Sequence, residues 1–136
     1  MFLFSISLLL SACPPLPQHI YDKVEYKAIT RGSSESILIE TIDRGKTKLT
    51  HSKNSKEQIN RVLNKKESLG LYSILRSLDH TQIDQLEVPS KKHQYDGALV
   101  TTIEITVRNK AYRSVSFDHD NPPKELKSLI NNTGDR

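Results

Sequence analysis

The single cysteine is the feature that most constrains how this chain can fold. The 136 residues contain one cysteine, Cys13, so no disulfide can form within the chain. Small domains often use disulfides to compensate for a small core, and here the hydrophobic core must stabilise the fold alone. A chain of this length fits one domain, which buries roughly two thirds of its unfolded surface.

An uncharged apolar segment, Met1–Leu10, precedes this cysteine, with the small residues Ser11 and Ala12 between them. Ten residues span roughly 15 Å as a helix, about half the thickness of a bilayer core. That length is too short for a transmembrane helix and typical of the hydrophobic region of a signal peptide. The alternative is a buried strand or helix that ends in a cysteine. It is disfavoured because three of the next four residues are prolines.

The run Leu10-Ser11-Ala12-Cys13 resembles the lipobox of bacterial lipoprotein precursors. The resemblance implies removal of residues 1–12 as a signal peptide, by cleavage between Ala12 and Cys13, and a diacylglyceryl thioether on Cys13. Two or three acyl chains anchor a protein firmly, whereas one binds only marginally. Pro14 replaces the Asp that favours inner-membrane retention of enterobacterial lipoproteins. The resemblance therefore implies a lipid-anchored protein of the cell envelope, held at the outer membrane on its periplasmic or its surface side, with no cofactor besides the covalent lipid.

Residues 13–22 read as a proline-rich tether, because Pro14, Pro15 and Pro17 favour extended backbone. The sequence predicts a single globular domain over residues 23–131 and a frayed C-terminus over 132–136.

Alternating apolar and polar residues predict five strands: Val24–Thr30, Ser36–Ile42, Lys46–Ser52, Leu99–Val107 and Ala111–Phe117. Short connections at Asp43-Arg44-Gly45 and Arg108-Asn109-Lys110 predict antiparallel hairpins, with a positive φ at Asn109. Lysines at positions 46 and 48 favour an edge position for the third strand.

The helical pattern begins at Ser55-x-x-Gln58, which fits a capping box. Two apolar stripes follow out of phase, so we expect one helix to end near Gly70 and a second to cover Leu71–Leu78. Thr81–Glu87 adds a helical turn, and a last helix begins at Asn121. The predicted fold is α+β: a single antiparallel sheet of about five strands with helices on one face, in the order βββ-αα-ββ-α.

The segment Tyr95–Leu129 resembles uncharacterised small lipoproteins of Bacteroidota. The resemblance rests on four short motifs: Asp96-Gly97-Ala98, Tyr112, Phe117-Asp118-His119 and Pro122-Pro123. It implies no particular activity.

One group of side chains is a candidate for chemistry, because the ends of two antiparallel strands lie together. The group consists of His93, Asp96, Asp118, His119 and Asp120. Carboxylate oxygens with imidazole suit Ca²⁺ or Zn²⁺, which makes a metal-dependent or carboxylate-based enzyme one hypothesis. The alternative is structural: a turn at Asp96-Gly97, a helix cap at Asp120 or Asn121, and an exposed His119.

The predicted anchor and tether, the small size and the lack of a catalytic signature favour a small binding module over an enzyme. No G-x-S-x-G motif or glycine-rich phosphate loop is present. The 20 basic and 16 acidic residues are interspersed, whereas nucleic-acid binding needs a clustered basic stripe, so we expect no nucleic-acid partner. The expected partners are the membrane, through the anchor, and an envelope protein or glycan. Four tyrosines either line a binding surface or border the core: Tyr26, Tyr72, Tyr95 and Tyr112. Two histidines, His51 and His80, are expected in solvent.

Overall fold

The computed structural model describes residues 21–30, 32–42, 46–95 and 99–133. The predicted signal peptide, Cys13, most of the tether, the turn at 43–45 and Asp96 lie outside these residues. The described residues form seven strands: β1 (Tyr21–Thr30), β2 (Ser33–Thr41), β3 (Thr47–Lys53), β4 (Glu57–Val62), β5 (Val100–Val107), β6 (Lys110–Arg113) and β7 (Phe117–Asp118). They also form two α-helices, α1 (Lys65–Ser77) and α2 (Lys127–Thr133), and 3₁₀ helices at His80–Gln85, Lys92–Gln94 and Lys124–Leu126.

The strands make one antiparallel sheet in the order β4-β3-β2-β1-β5-β6, and β7 also pairs with β5. The prediction of an α+β fold with a single antiparallel sheet is confirmed. The long central strand β1 sets the register, because Val24 lies opposite Ile39 on one side and Ile105 on the other. Strand β1 begins at Tyr21, two residues inside the segment predicted as a tether.

One face of the sheet packs into the core. The β1 residues Val24, Tyr26 and Ala28 are buried, as are the β2 residues Ile37 and Ile39. Helix α1 contributes its own buried residues to the same core: Leu71, Tyr72 and Leu75. Strands β1 and β2 follow the period-2 pattern read from the sequence, since burial on one face requires alternation.

The prediction of a helix from Ser55 is wrong, because residues 57–62 form β4. Asn54 and Ser55 both have positive φ, 53° and 56°, and make the tight turn that leads from β3 into β4. Strand β3 is therefore not the sheet edge, despite its lysines. The capping-box pattern at Ser55 and Gln58 consists of two residues only. Here these residues lie in the turn between β3 and β4 and at the start of β4.

The real capping box lies nine residues further on, at the start of α1. Asn64 accepts a hydrogen bond from the Glu67 backbone N–H at 2.8 Å, and the Glu67 side chain accepts from the Asn64 backbone N–H. Gly70 lies inside this helix, so the predicted break there is wrong. Ile59 and Val62, at the start of the first apolar stripe, belong to β4. The helix buries residues of the second stripe, Leu71 and Leu75.

The second hairpin is shorter than predicted, although Asn109 has the expected positive φ, 66°. Strand β6 ends at Arg113, and the chain leaves the ladder at Ser114, whose hydroxyl accepts from the Ile103 N–H at 2.9 Å. The chain rejoins β5 as β7, with Phe117 fully buried. The last helical segment begins at Lys124 and not at Asn121. No helix in the described ranges has the length and apolar composition needed to cross a membrane.

The antiparallel registers define two ends of the sheet. Tyr21 pairs with Val107 at one end, which we call the tether end because the predicted tether leads into it. The opposite end, called the far end, consists of Gly32–Ser34, Asn54–Lys56 and Lys92–Tyr95. Eight steps of extended backbone, about 3.3 Å each, lead from Tyr21 to Ile29, so the two ends lie roughly 26 Å apart.

Candidate functional site

The carboxylate of Asp118 organises the candidate site. This side chain has no exposed surface, and it accepts hydrogen bonds from the backbone N–H groups of Lys92 (3.0 Å) and His93 (2.8 Å). The His93 ring binds it as well, with Nδ1 at 2.6 Å from Oδ1, and the Ser90 hydroxyl is a further donor. Four donors therefore converge on one buried carboxylate, as a buried charge requires.

Two elements position these groups. Strand β7 places Asp118 opposite Val100, at the start of β5, while the short 3₁₀ helix Lys92–Gln94 turns its first N–H groups toward the carboxylate. Unpaired N–H groups at the start of a helical turn favour an anion, and Asp118 supplies it. The site is therefore a clamp that joins the segment 90–93 to the end of the sheet.

The ionisation of Asp118 follows from these contacts. Burial acts to raise the pKa of Asp118, but the hydrogen bonds from Ser90, His93 and Lys92 together outweigh it. The pKa of this carboxyl is thereby held well below its usual range, because each donor favours the charged form. Since the carboxylate can only accept, Nδ1 of His93 donates the proton in their shared hydrogen bond.

The order of these contacts differs from that of a nucleophilic triad. In such a triad the hydroxyl binds the imidazole and the imidazole binds the carboxylate. Here the Ser90 hydroxyl and the His93 ring both bind Asp118. The arrangement is suited to fixing the conformation of a loop.

The structure brings together only part of the predicted cluster. His93 and Asp118 are in contact as expected, whereas His119 and Asp120 follow β7 in a turn and line a separate surface cleft with Lys127. Asp96, the fifth member, lies outside the described residues. Within the described ranges, no three His, Cys, Asp or Glu side chains are grouped to hold a metal ion.

The tyrosines divide between core and surface. Tyr26 and Tyr72 are buried, and the Tyr72 hydroxyl lies 3.1 Å from the hydroxyls of both Thr41 and Thr47. Tyr112 is half-buried, and Tyr95, next to the clamp, has 80% of its surface exposed. Sequence reasoning missed Tyr21, whose buried hydroxyl donates to the Leu75 carbonyl at 2.8 Å and ties β1 to α1.

The two histidines expected in solvent both have neighbours. His51 binds Glu35 through Nε2 at 2.9 Å, and the His80 ring packs edge-on against Tyr21 and Tyr112. A cross-strand register places Glu35 and His51 near each other on adjacent strands. Such partners distant in sequence cannot be identified before the register is known.

A second feature of the far end is a pair of tied turns. Ser34 and Asn54 hold the β1–β2 and β3–β4 turns together, with the Asn54 N–H donating to the Ser34 carbonyl (2.7 Å) and the Ser34 N–H donating to Asn54 Oδ1 (2.9 Å). These residues, with Thr30, Gly32 and Lys56, line an open polar cleft. The positive φ of Asn54 lets the chain reverse tightly enough for this contact.

In comparisons with known proteins, no family model matches this chain and no curated protein matches it significantly.

Proposed function

We propose that this protein is a lipid-anchored binding module of the bacterial cell envelope, which contacts a protein or glycan partner through its far end. The proposed anchor is the lipid on Cys13, at the outer membrane. The observation that carries the proposal is the polarity of the sheet. The segment from Cys13 leads into β1 at Tyr21, whereas the polar turns lie at the other end of the strands.

The surface chemistry of the far end suits binding. Tyr95 combines apolar area with a polar hydroxyl, as residues at binding surfaces often do, and it is the most exposed of the large apolar side chains described. The open cleft adds hydroxyl, amide and ammonium groups from Ser33, Asn54 and Lys56. Such groups can hydrogen-bond the polar surface of a glycan or a peptide backbone.

The state of Asp118 favours a binding role over the enzyme alternative. A general base or metal ligand needs free lone pairs, but four donors of its own chain already engage this carboxylate. The clamp also fixes the backbone beside Tyr95. A partner therefore meets an ordered surface and loses less conformational entropy on binding.

Site-specific photocrosslinking in the intact envelope tests the proposal. A photoreactive phenylalanine is placed at Ser55 or Tyr95 at the far end, and at Asn109 at the tether end as control. Ser55 and Asn109 are matched, because both are exposed turn residues with positive φ. We expect a defined protein or glycan adduct at Ser55 and Tyr95 and none at Asn109. No adduct at the far end, or equal adducts at both ends, would contradict the proposal.

A further inference from the structure

Strand β4 is an open edge of the sheet. It lies at the end of the strand order and, among the described residues, pairs only with β3. Five of its six residues are exposed. Ile59, at its middle, has 61% of its surface in solvent although it lies on the core side of the sheet, in line with the buried Ile37.

This edge has no lysine, proline or bulge to discourage pairing with another strand, and its two charged side chains, Glu57 and Arg61, have opposite signs. Natural edge strands are commonly guarded by lysine, proline or a bulge. The six residues of β4, Glu-Gln-Ile-Asn-Arg-Val, contain no lysine or proline, and their pairing with β3 is regular along its whole length. Lys46 and Lys48 were expected to protect a sheet edge, but Lys46 directly precedes the interior strand β3 and Lys48 lies on it.

The hydrogen-bonding direction of β4 follows from one contact. The Leu63 N–H donates to the Thr47 carbonyl at 2.8 Å. Because backbone groups alternate in direction along an antiparallel strand, those of residues 57, 59 and 61 also face β3. The N–H and C=O groups of Gln58, Asn60 and Val62 therefore face outward.

From these features we infer that a second copy of this chain pairs antiparallel with β4, with Ile59 opposite Ile59 of the second copy. In this register Glu57 of each copy lies opposite Arg61 of the other, and Gln58 of each copy lies opposite Asn60 of the other. Opposite charges and apolar pairs across strands are each stabilising. The outward backbone groups of Gln58 and Asn60 then form the hydrogen bonds that continue the sheet across a two-fold axis.

The neighbouring registers lack this complementarity. A symmetric pair centred on Glu57 or on Arg61 places like charges opposite each other, which destabilises a sheet. A pair centred on Gln58 or Asn60 leaves Ile59 opposite a charged side chain. A shift that pairs odd-numbered with even-numbered residues places the paired side chains on opposite faces of the sheet. Among the remaining registers, the charges of β4 favour the one centred on Ile59.

Arg61 already binds Glu67 of its own chain at 2.8 Å. Both side chains keep about a third of their surface exposed, 35% and 36%. Because a guanidinium group has five N–H donors, Arg61 can donate to the carboxylate of Glu57 in the second copy and still donate to Glu67. The intrachain pair instead holds Arg61 in place for the contact.

Cysteine crosslinking tests the register in the full-length chain. The background carries Cys13→Ser, so that an engineered thiol is the only one. Ile59→Cys places two thiols opposite each other, at a Cα separation of about 4.5 Å for a pair that is not hydrogen-bonded, within reach of a disulfide. Val62→Cys is the matched control, since it is on the same strand and 55% exposed. In this register its two copies lie six residues apart, roughly 20 Å.

Under mild oxidation we expect Ile59→Cys to give about tenfold more disulfide dimer than Val62→Cys, because only the former pair meets the geometric requirement. Equal yields at both positions, or no dimer at either, would overturn the inference.

Charge reversal in the Ile59→Cys background then tests the paired charges. Glu57→Arg alone and Arg61→Glu alone each place like charges opposite each other and should lower the dimer yield severalfold. An equal mixture of the two variants should restore it as a heterodimer, since both cross-strand pairs again have opposite signs. Unchanged yields in the single variants, or no recovery in the mixture, would overturn the register. Circular dichroism confirms that each variant is folded.

Discussion

The ring of His93 and the carboxylate of Asp118, 25 positions apart in the sequence, are joined by a hydrogen bond of 2.6 Å. The His93 side chain is only 8% exposed, and Asp118 is fully buried. This contact, with the backbone donors beside it, attaches the segment 90–95 to the start of β5. One carboxylate thus sets the conformation of the far end, the surface that we propose meets a partner.

Replacement of Asp118 by Asn should destabilise this region. An amide nitrogen in place of one carboxylate oxygen turns a donor toward N–H groups that need an acceptor, and buried unpaired donors are costly. We expect the melting temperature to fall by about 5 °C or more. Hydrogen exchange at the Lys92 and His93 amides should accelerate at least about tenfold. Asp120→Asn, on an exposed neighbour, is the control and should leave both unchanged. Equal effects from the two substitutions would refute the clamp.

The clamp should also make stability depend on acid. The folded pKa of Asp118 lies below its usual range, whereas the unfolded pKa is near 3.9. Its stabilising contribution is therefore complete above the unfolded pKa and is lost as the pH falls below it toward the folded pKa. Unfolding of the wild type and of Asp118→Asn, followed between pH 7 and 2, should show a difference in stability that is constant near neutrality and shrinks below about pH 4. A difference that grows in acid would contradict the assigned ionisation.

The buried hydroxyl of Tyr72 should contribute measurably to stability. It lies 3.1 Å from the hydroxyls of Thr41 and Thr47. Tyr72→Phe removes both contacts, and the buried Thr47 hydroxyl loses this partner, whereas the Thr41 hydroxyl still donates to the Tyr21 carbonyl. We expect a loss of about 1–2 kcal/mol in the free energy of unfolding, measured by urea titration. Tyr95→Phe removes a hydroxyl from a largely exposed ring and should change this value by less than about 0.5 kcal/mol. If Tyr72→Phe lowered the free energy of unfolding by no more than Tyr95→Phe does, the Tyr72 hydroxyl would not be hydrogen-bonded as described.

Gly70 gives a test in which the sign of the effect distinguishes two structures. Inside α1, a Cβ at this position meets nothing within 4 Å, so Gly70→Ala should stabilise the protein by about 0.5–1 kcal/mol. If Gly70 instead ended a helix in the left-handed region, as the sequence alone predicts, alanine would destabilise it. Chemical denaturation of the two proteins decides between the structures.

The parts of the fold that were predictable are those with a strong local pattern. Strand β5 and the positive φ of Asn109 follow from alternation and turn chemistry, and both are present. Strand β4 has only two apolar residues, Ile59 and Val62, which lie three positions apart and do not alternate with polar residues. Its pattern therefore gave no strand signal, and the pair Ser55 and Gln58 imitated a helix start.

The candidate site shows the same division. Contact between His93 and Asp118 was expected from the meeting of two strand ends, and the structure brings them together. The Ser90 donor and the N–H groups of Lys92 and His93 depend on a 3₁₀ turn with no apolar periodicity. The Asp118 side chain faces Lys92 and His93, whereas His119 lines a separate cleft. This placement arises because the chain leaves the ladder after β6 and rejoins β5 as β7. Neither feature has a local sequence signal.

We propose that this domain is displayed from a membrane by a lipid on Cys13. This proposal is tested most directly by the intact mass of the protein purified from its own membranes, with the Cys13→Ser variant as comparison. We expect a mass equal to residues 13–136 plus acyl groups for the wild type, and no acylated species for the variant. A wild-type mass that retains residues 1–12, or that lacks acyl groups, would contradict it.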